Sequence, residues 1–241
     1  MAQFILSGTG ISKSYGALRV LHGVDIDVRD GEILGILGPN GAGKTTLFNM
    51  ISGDATLDAG EFVFKGAILR SEPPHKRCRR GIGRTYQIPK PYAGMSAFEN
   101  LMVAAMFGAS LEERQANTFC AAILDECGLA AKANLPAGSL TLLDRKRLEL
   151  ARALATNPTL LLLDEIAGGL TEEEARQLVE LVRQLRRRNV TIIWIEHVLN
   201  AIMAVADRLL VLNFGEKIAD GPPRDVIANP DVQRVYMGIE A

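Results

Sequence analysis

The stretch Ile33-Leu34-Gly35-Ile36-Leu37-Gly38-Pro39-Asn40-Gly41-Ala42-Gly43-Lys44-Thr45-Thr46 decides the fold. It runs from an apolar strand, through a glycine-rich loop, to a lysine, a hydroxyl and a helical segment. This is the phosphate-binding pattern G-x-x-x-x-G-K-[ST] in the structural order it requires. Several backbone N–H groups must converge on one phosphate chain, so side chains at Gly41 or Gly43 are expected to obstruct it. Lys44 offers a point charge to the β- and γ-phosphates, and the Thr45 hydroxyl can hold Mg²⁺. A helix starting near Gly43 adds its positive N-terminal dipole. The stretch therefore implies a nucleoside triphosphate.

Working outward, residues 4–12 and 20–28 read as strands around a Tyr15-Gly16 turn, an antiparallel unit followed by the Asp30-Gly31 turn. Thr45–Ser52 reads as a helix with Gly53 as its C-cap, and Glu61–Phe64 as a strand. From about Met95 to Ala155, Ala, Leu, Met and Glu dominate, which predicts an α-rich lobe. Thr159–Leu163, Val190–Ile195 and Leu209–Leu212 read as buried strands, and Asn213–Glu216 as a turn. Between the first two, a helix at 172–188 carries Leu178, Leu181, Val182 and Leu185 on one face. Its acidic start and its Arg186-Arg187-Arg188 end suit the helix dipole. Thr171-Glu172-Glu173-Glu174 is a capping box. Strands alternating with helices predict a mostly parallel α/β sheet.

The 241 residues suffice for one large core with an attached lobe, or for two small domains. No apolar run approaches the roughly 18–20 residues needed to span a bilayer, and the start, Met-Ala-Gln-Phe-Ile-Leu, has no signal-peptide pattern. The three cysteines, Cys78, Cys120 and Cys127, form no CxxC and read as free thiols of a reducing compartment. A net charge of −1 gives no global field for nucleic acid. His75-Lys76-Arg77-Cys78-Arg79-Arg80 reads as a solvated basic face.

A second acidic site follows the strand Leu160–Leu163. Asp164 can hold Mg²⁺, and Glu165 can polarise a water in line with the γ-phosphate. His197 comes just past the strand ending at Ile195, where parallel sheets bind ligands, and can stabilise developing charge. The Gln87 amide can sense Mg²⁺ and the γ-phosphate, and Tyr15 can stack on a base. Taken singly, each has a plainer role: carboxylates capping a strand, a structural histidine, a loop amide, a half-buried aromatic.

Together these residues resemble the ATP-binding cassette (ABC) ATPase family over essentially the whole chain. The resemblance implies a RecA-like parallel sheet core with an N-terminal antiparallel β subdomain (1–92 and 156–241) and an α-helical subdomain (93–155). It makes Tyr15 the adenine-stacking aromatic, and Gly38, Pro39, Asn40, Gly41, Ala42, Gly43, Lys44, Thr45 and Thr46 the ATP-binding loop. Gln87 becomes the glutamine of the loop that meets membrane subunits. Asp164, with Thr45 and Gln87, becomes the Mg²⁺ site, Glu165 the general base and His197 the switch histidine. The signature segment, normally Leu-Ser-Gly-Gly-Gln, aligns with Leu140-Thr141-Leu142-Leu143-Asp144, followed by a helix over Arg145–Ala155.

The chain departs from that pattern at Leu142 and Leu143, whose β-carbons should hinder backbone approach to a γ-phosphate across a dimer interface. It also departs at Ile166 and Thr171, where proline and aspartate are usual. Gly81–Gln87 and the tail Asn229–Gly238 resemble ATPase subunits of branched-chain (hydrophobic) amino acid importers. That implies a second, different ATPase subunit, two integral membrane permease subunits, a periplasmic substrate-binding protein and no nucleic acid. The place implied is peripheral, on the cytoplasmic face of the inner membrane. Three other readings remain open: the ATPase of a lipopolysaccharide exporter, a soluble cassette acting on ribosomes or DNA, and a weakly hydrolysing regulatory subunit.

Overall fold

The computed structural model describes residues 4–237, so Met1, Ala2 and Gln3 of the start and Gly238 of the tail lie outside the described residues. In chain order the first elements are β1 (Phe4–Tyr15), β2 (Leu18–Arg29), β3 (Ile33–Leu37), α1 (Lys44–Ser52), β4 (Ala59–Phe64) and β5 (Ala67–Ile68). Then come α2 (Pro74–Arg79), β6 (Ile82–Arg84), α3 (Ala97–Phe107), α4 (Glu113–Glu126), α5 (Leu142–Ala155), β7 (Leu160–Asp164) and α6 (Glu172–Gln184). The chain ends with β8 (Thr191–Ile195), α7 (Leu199–Met203), β9 (Arg208–Asn213), β10 (Glu216–Gly221), α8 (Pro223–Ala228) and α9 (Pro230–Met237). The chain divides into two compact units, Met1–Pro74 with Thr191–Ala241, and His75–Val190.

In the first unit, β2, β1, β4 and β5 form an antiparallel sheet in that order. Along β2, Val24, Ile26 and Val28 are buried while Asp25 and Asp27 are exposed, the alternation of a sheet with one covered face. The strands run longer than their apolar cores predict. Tyr15 is the last residue of β1, and the turn falls on Gly16, whose φ of +60° suits glycine. The same unit holds β3 in parallel between β8 and β9, with β10 antiparallel on β9. Every residue of β3 and β8 is buried, as strands covered on both faces must be. Trp194 of β8 is completely buried, and its indole N–H makes no hydrogen bond among the described residues.

In the second unit, β6 and β7 pair in parallel, and α3, α4 and α5 pack on one another as the α-rich lobe. Leu178, Leu181, Val182 and Leu185 are all buried. The helix expected over 172–188 is α-helical only to Gln184; Leu185–Arg188 is a 3-10 turn closed by Asn189 at φ +52°. Asparagine tolerates that left-handed conformation, which ends the helix. The basic cluster is not wholly a solvated face: Arg77 is buried on α2, while His75, Lys76 and Arg79 are exposed. All three cysteines are free thiols, and burial pushes the Cys127 thiol up to about 12.

Candidate functional site

β3 runs straight into the glycine-rich loop, and the packing explains its glycines. A Cβ on Gly38 would lie 2.2 Å from the Leu212 carbonyl oxygen, and one on Gly43 would lie 2.6 Å from Leu21 Cδ2. At Gly41 an added Cβ meets no protein atom within 4 Å, so the protein itself asks only for its φ of +81°. The turn after β9 braces the loop from outside: Gly215 N–H donates to Ala42 O at 3.2 Å, and His22 N–H donates to Gly215 O at 3.0 Å.

The buried Lys44 ammonium donates to Gly38 O at 2.6 Å and Pro39 O at 3.0 Å, which holds it over the loop. α1 begins at Lys44, one residue earlier than expected, with Gly43 as N-cap and no acidic residue in its first turn. Its N-terminal partial positive charge is therefore left to the loop. Asn40, Gly41 and Thr45 form the loop's exposed rim, with Pro39 and Thr46 half-buried and Ala42 buried. Tyr15 is 50% exposed at the end of β1, with the Lys13 ammonium 5.4 Å from its ring centre.

His197 is exposed just beyond β8. Its backbone is fixed by the buried Glu196, whose Oε1 accepts from the N–H of His197 at 2.9 Å and of Val198 at 3.4 Å.

The other predicted residues lie in the second unit. Asp164 ends β7 and is buried; its N–H donates to Thr85 Oγ1 at 3.1 Å, and its Oδ2 pairs with Arg84 Nη2 at 3.1 Å. The two paired side chains are only 7% and 6% exposed. Arg84 also stacks over Tyr86 at 5.0 Å. Glu165 follows with a φ of +47°, the left-handed region that non-glycine residues occupy at a cost of order 1–3 kcal/mol. Its Oε2 accepts from Gln87 Nε2 at 2.5 Å, so the structure brings these two candidates together.

The donor set proposed for Mg²⁺, Thr45, Gln87 and Asp164, consists of oxygens, as this hard cation prefers. Among the described residues no three His, Cys, Asp or Glu gather as a metal cage.

Thr141 is the N-cap of α5, so the helix starts at Leu142 rather than at the expected Arg145. The Thr141 hydroxyl accepts from Asp144 N–H at 3.3 Å and donates to Asp144 Oδ2 at 2.8 Å; Lys132 Nζ reaches the same oxygen at 2.5 Å. Leu142 is 46% exposed, its Cδ2 3.5 Å from where a Cβ on Gly169 would lie, and Leu143 is half-buried. The segment thus presents two leucines in the first helical turn, with a carboxylate behind them. Burial opposes ionisation of Asp144, but Lys132 and Thr141 outweigh it and hold its carboxyl below the usual 3.8.

Sequence reasoning missed Arg84, Thr85 and Lys146. Lys146 is buried on α5 and donates to Gln87 O at 2.8 Å and Glu165 O at 3.3 Å. Arg84 and Thr85 stood inside the Gly81–Gln87 stretch that carried the resemblance, and that was their only signal.

A family described as ABC transporter matches residues 21–168, and one described as branched-chain amino acid ATP-binding cassette transporter matches residues 216–241. The chain is 37% identical to the high-affinity branched-chain amino acid transport ATP-binding protein BraF of Pseudomonas aeruginosa, across 99% of each protein. It is 36% identical to LivG of Escherichia coli K12, a protein of the same description, again across 99% of both. Among solved structures it is similar to the ADP conformation of MJ1267, an ATP-binding cassette of an ABC transporter. The TM-score is 0.90 at 31% identity, covering 98% of this chain and 100% of that one.

Proposed function

This chain belongs to the ABC transporter family of ATP-binding cassettes, and we propose that it powers an importer of branched-chain or other hydrophobic amino acids. The observation that carries this reading is the match of residues 216–241 to the branched-chain amino acid cassettes, joined to full-length relatives of that description. The reading treats the chain as one cassette: 1–92 and 156–241 as nucleotide-binding core with its β subdomain, and 93–155 as helical subdomain.

ATP binds with its base on Tyr15 and its phosphates on Gly38–Thr46, where Lys44 meets the β- and γ-phosphates. Thr45, Gln87 and Asp164 would hold Mg²⁺, which neutralises charge on the phosphates. Glu165 orients and deprotonates the attacking water. His197, its backbone pinned by Glu196, holds the γ-phosphate as charge develops. Thr141–Leu143 covers the ATP of a partner subunit. ATP then closes the pair because it binds the closed form more tightly than the open one. The Gln87 loop passes that closure to the membrane subunits.

No described helix is long and apolar enough to cross a membrane, so the proposed place is peripheral, on permeases at the cytoplasmic face. Those permeases, a second ATPase of a related but different chain, and a periplasmic binding protein complete the assembly. The test is gentle detergent extraction of the tagged protein from its own cells, with mass spectrometry of what co-purifies. Two membrane subunits and a different ATPase are expected. Pairs of this chain on export-type membrane subunits, or ribosomal or DNA-bound partners, would overturn the importer.

A further inference from the structure

α5 turns one face toward the segment that carries Gln87. Lys146, Glu149 and Arg152 stand three residues apart and so share that face. Arg152 Nη1 donates to Lys90 O at 2.9 Å, and its guanidinium lies 5.2 Å from the Tyr92 ring centre. The buried Glu149 pairs with Arg152 at 3.0 Å and accepts from the backbone N–H of Tyr86 and Lys90. Those contacts bind the helix to the loop. Lys146 does more, because its ammonium reaches two functional segments at once, the Gln87 carbonyl at 2.8 Å and the Glu165 carbonyl at 3.3 Å.

Glu165 is one of the non-glycine residues whose main chain is left-handed. Its φ is +47°, and its carbonyl also accepts the Gly168 N–H at 3.2 Å. A strained backbone persists only where its surroundings over-determine it. Here the peptide plane after Glu165 is fixed by two donors, and one of them belongs to α5, the helix capped by Thr141. The side chains close the circuit, with Gln87 Nε2 donating to Glu165 Oε2.

We propose that Lys146 is a positioning residue that ties the signature helix to the catalytic loop, by anchoring the main chains of Gln87 and Glu165 through one buried ammonium. The Gln87 and Glu165 side chains can then exchange partners when Mg-ATP arrives, while their backbones stay in register with α5. A shift of α5 driven by the partner's nucleotide moves the Glu165 peptide with it. This rests on the reading of Glu165 as the base.

The test compares the full chain with Lys146→Met, Lys146→Arg, Glu165→Gln and the double variant Lys146→Met/Glu165→Gln. The readouts are kcat and KM for ATP, and amide hydrogen exchange over residues 165–168. Lys146→Met is expected to lose about 10–100-fold in kcat with little change in KM, as misplacing a catalytic group does. The Gly168 amide should exchange faster, and Lys146→Arg should recover most of both. The double variant should turn over no more slowly than Glu165→Gln alone, because Lys146 acts through Glu165. Multiplying losses, or wild-type kcat and exchange in Lys146→Met, would overturn the proposal. Wild-type turnover in Glu165→Gln would instead remove the base assignment; unchanged Gly168 exchange in Lys146→Met would then remove the anchoring as well. If Lys146→Met does not fold, Lys146→Gln is read by the same criteria.

Discussion

Two adjacent carboxylates at the end of β7 are held in different ways. Asp164 is buried and paired with Arg84, while Glu165 is left-handed, part-exposed and bonded to Gln87. That difference suits the roles proposed for them, Asp164 as a fixed charge and Glu165 as the group that orients water. Lys44→Ala is expected to abolish productive ATP binding. Glu165→Gln is expected to keep ATP binding and lose roughly 10²–10⁴ in turnover, measured by nucleotide titration alongside phosphate release. Asp144 gives a pH signature. A carboxyl held below 3.8 adds stability that is present above 3.8 and is lost as pH falls through its native value. The gap in denaturant midpoint between wild type and Asp144→Asn should therefore be widest above 3.8 and narrow as pH drops below it.

At the scale of elements, two helices start by the same device. Thr171 caps α6 in a full capping box with Glu174, and Thr141 caps α5 through the Asp144 N–H. Thr171→Ala should cost about 1 kcal/mol, seen as a drop of about 2–4 °C in melting temperature for a chain of this size. The box at Thr171 was legible in the sequence because it precedes a clear apolar stripe. At Thr141 the resemblance places Leu142 and Leu143 before the expected helix, although Thr141-x-x-Asp144 has the spacing of an N-cap. The strands β3, β7, β8 and β9 were legible from apolar runs alone. β5, with two residues, and β6, with three, carry too little pattern to read. Contacts such as Arg84 with Asp164, or Lys146 with Gln87, join residues 80 and 59 positions apart. No local spacing encodes them, so the chemistry of the site could be named from sequence while its internal bracing could not.

At the scale of the whole molecule, the proposed reading gives the chain one complete glycine-rich loop and, at Thr141–Leu143, one altered signature. On that reading the β-carbons of Leu142 and Leu143 should hinder backbone approach to a partner's γ-phosphate. A cross-linked pair of this chain with the proposed second ATPase is therefore expected to hydrolyse ATP unequally at its two sites, as single-site inactivation would reveal. Equal turnover at both sites would remove the asymmetry.

The chain has one tryptophan. Trp194 sits fully buried in β8, three residues before His197, with an indole N–H that no described acceptor meets. An indole screened from water emits at the blue end of its range. Excited at wavelengths that its four tyrosines do not absorb, the protein therefore emits from one interior point just before His197. Any nucleotide-dependent change in the colour or lifetime of that emission reports on the surroundings of Trp194 in β8.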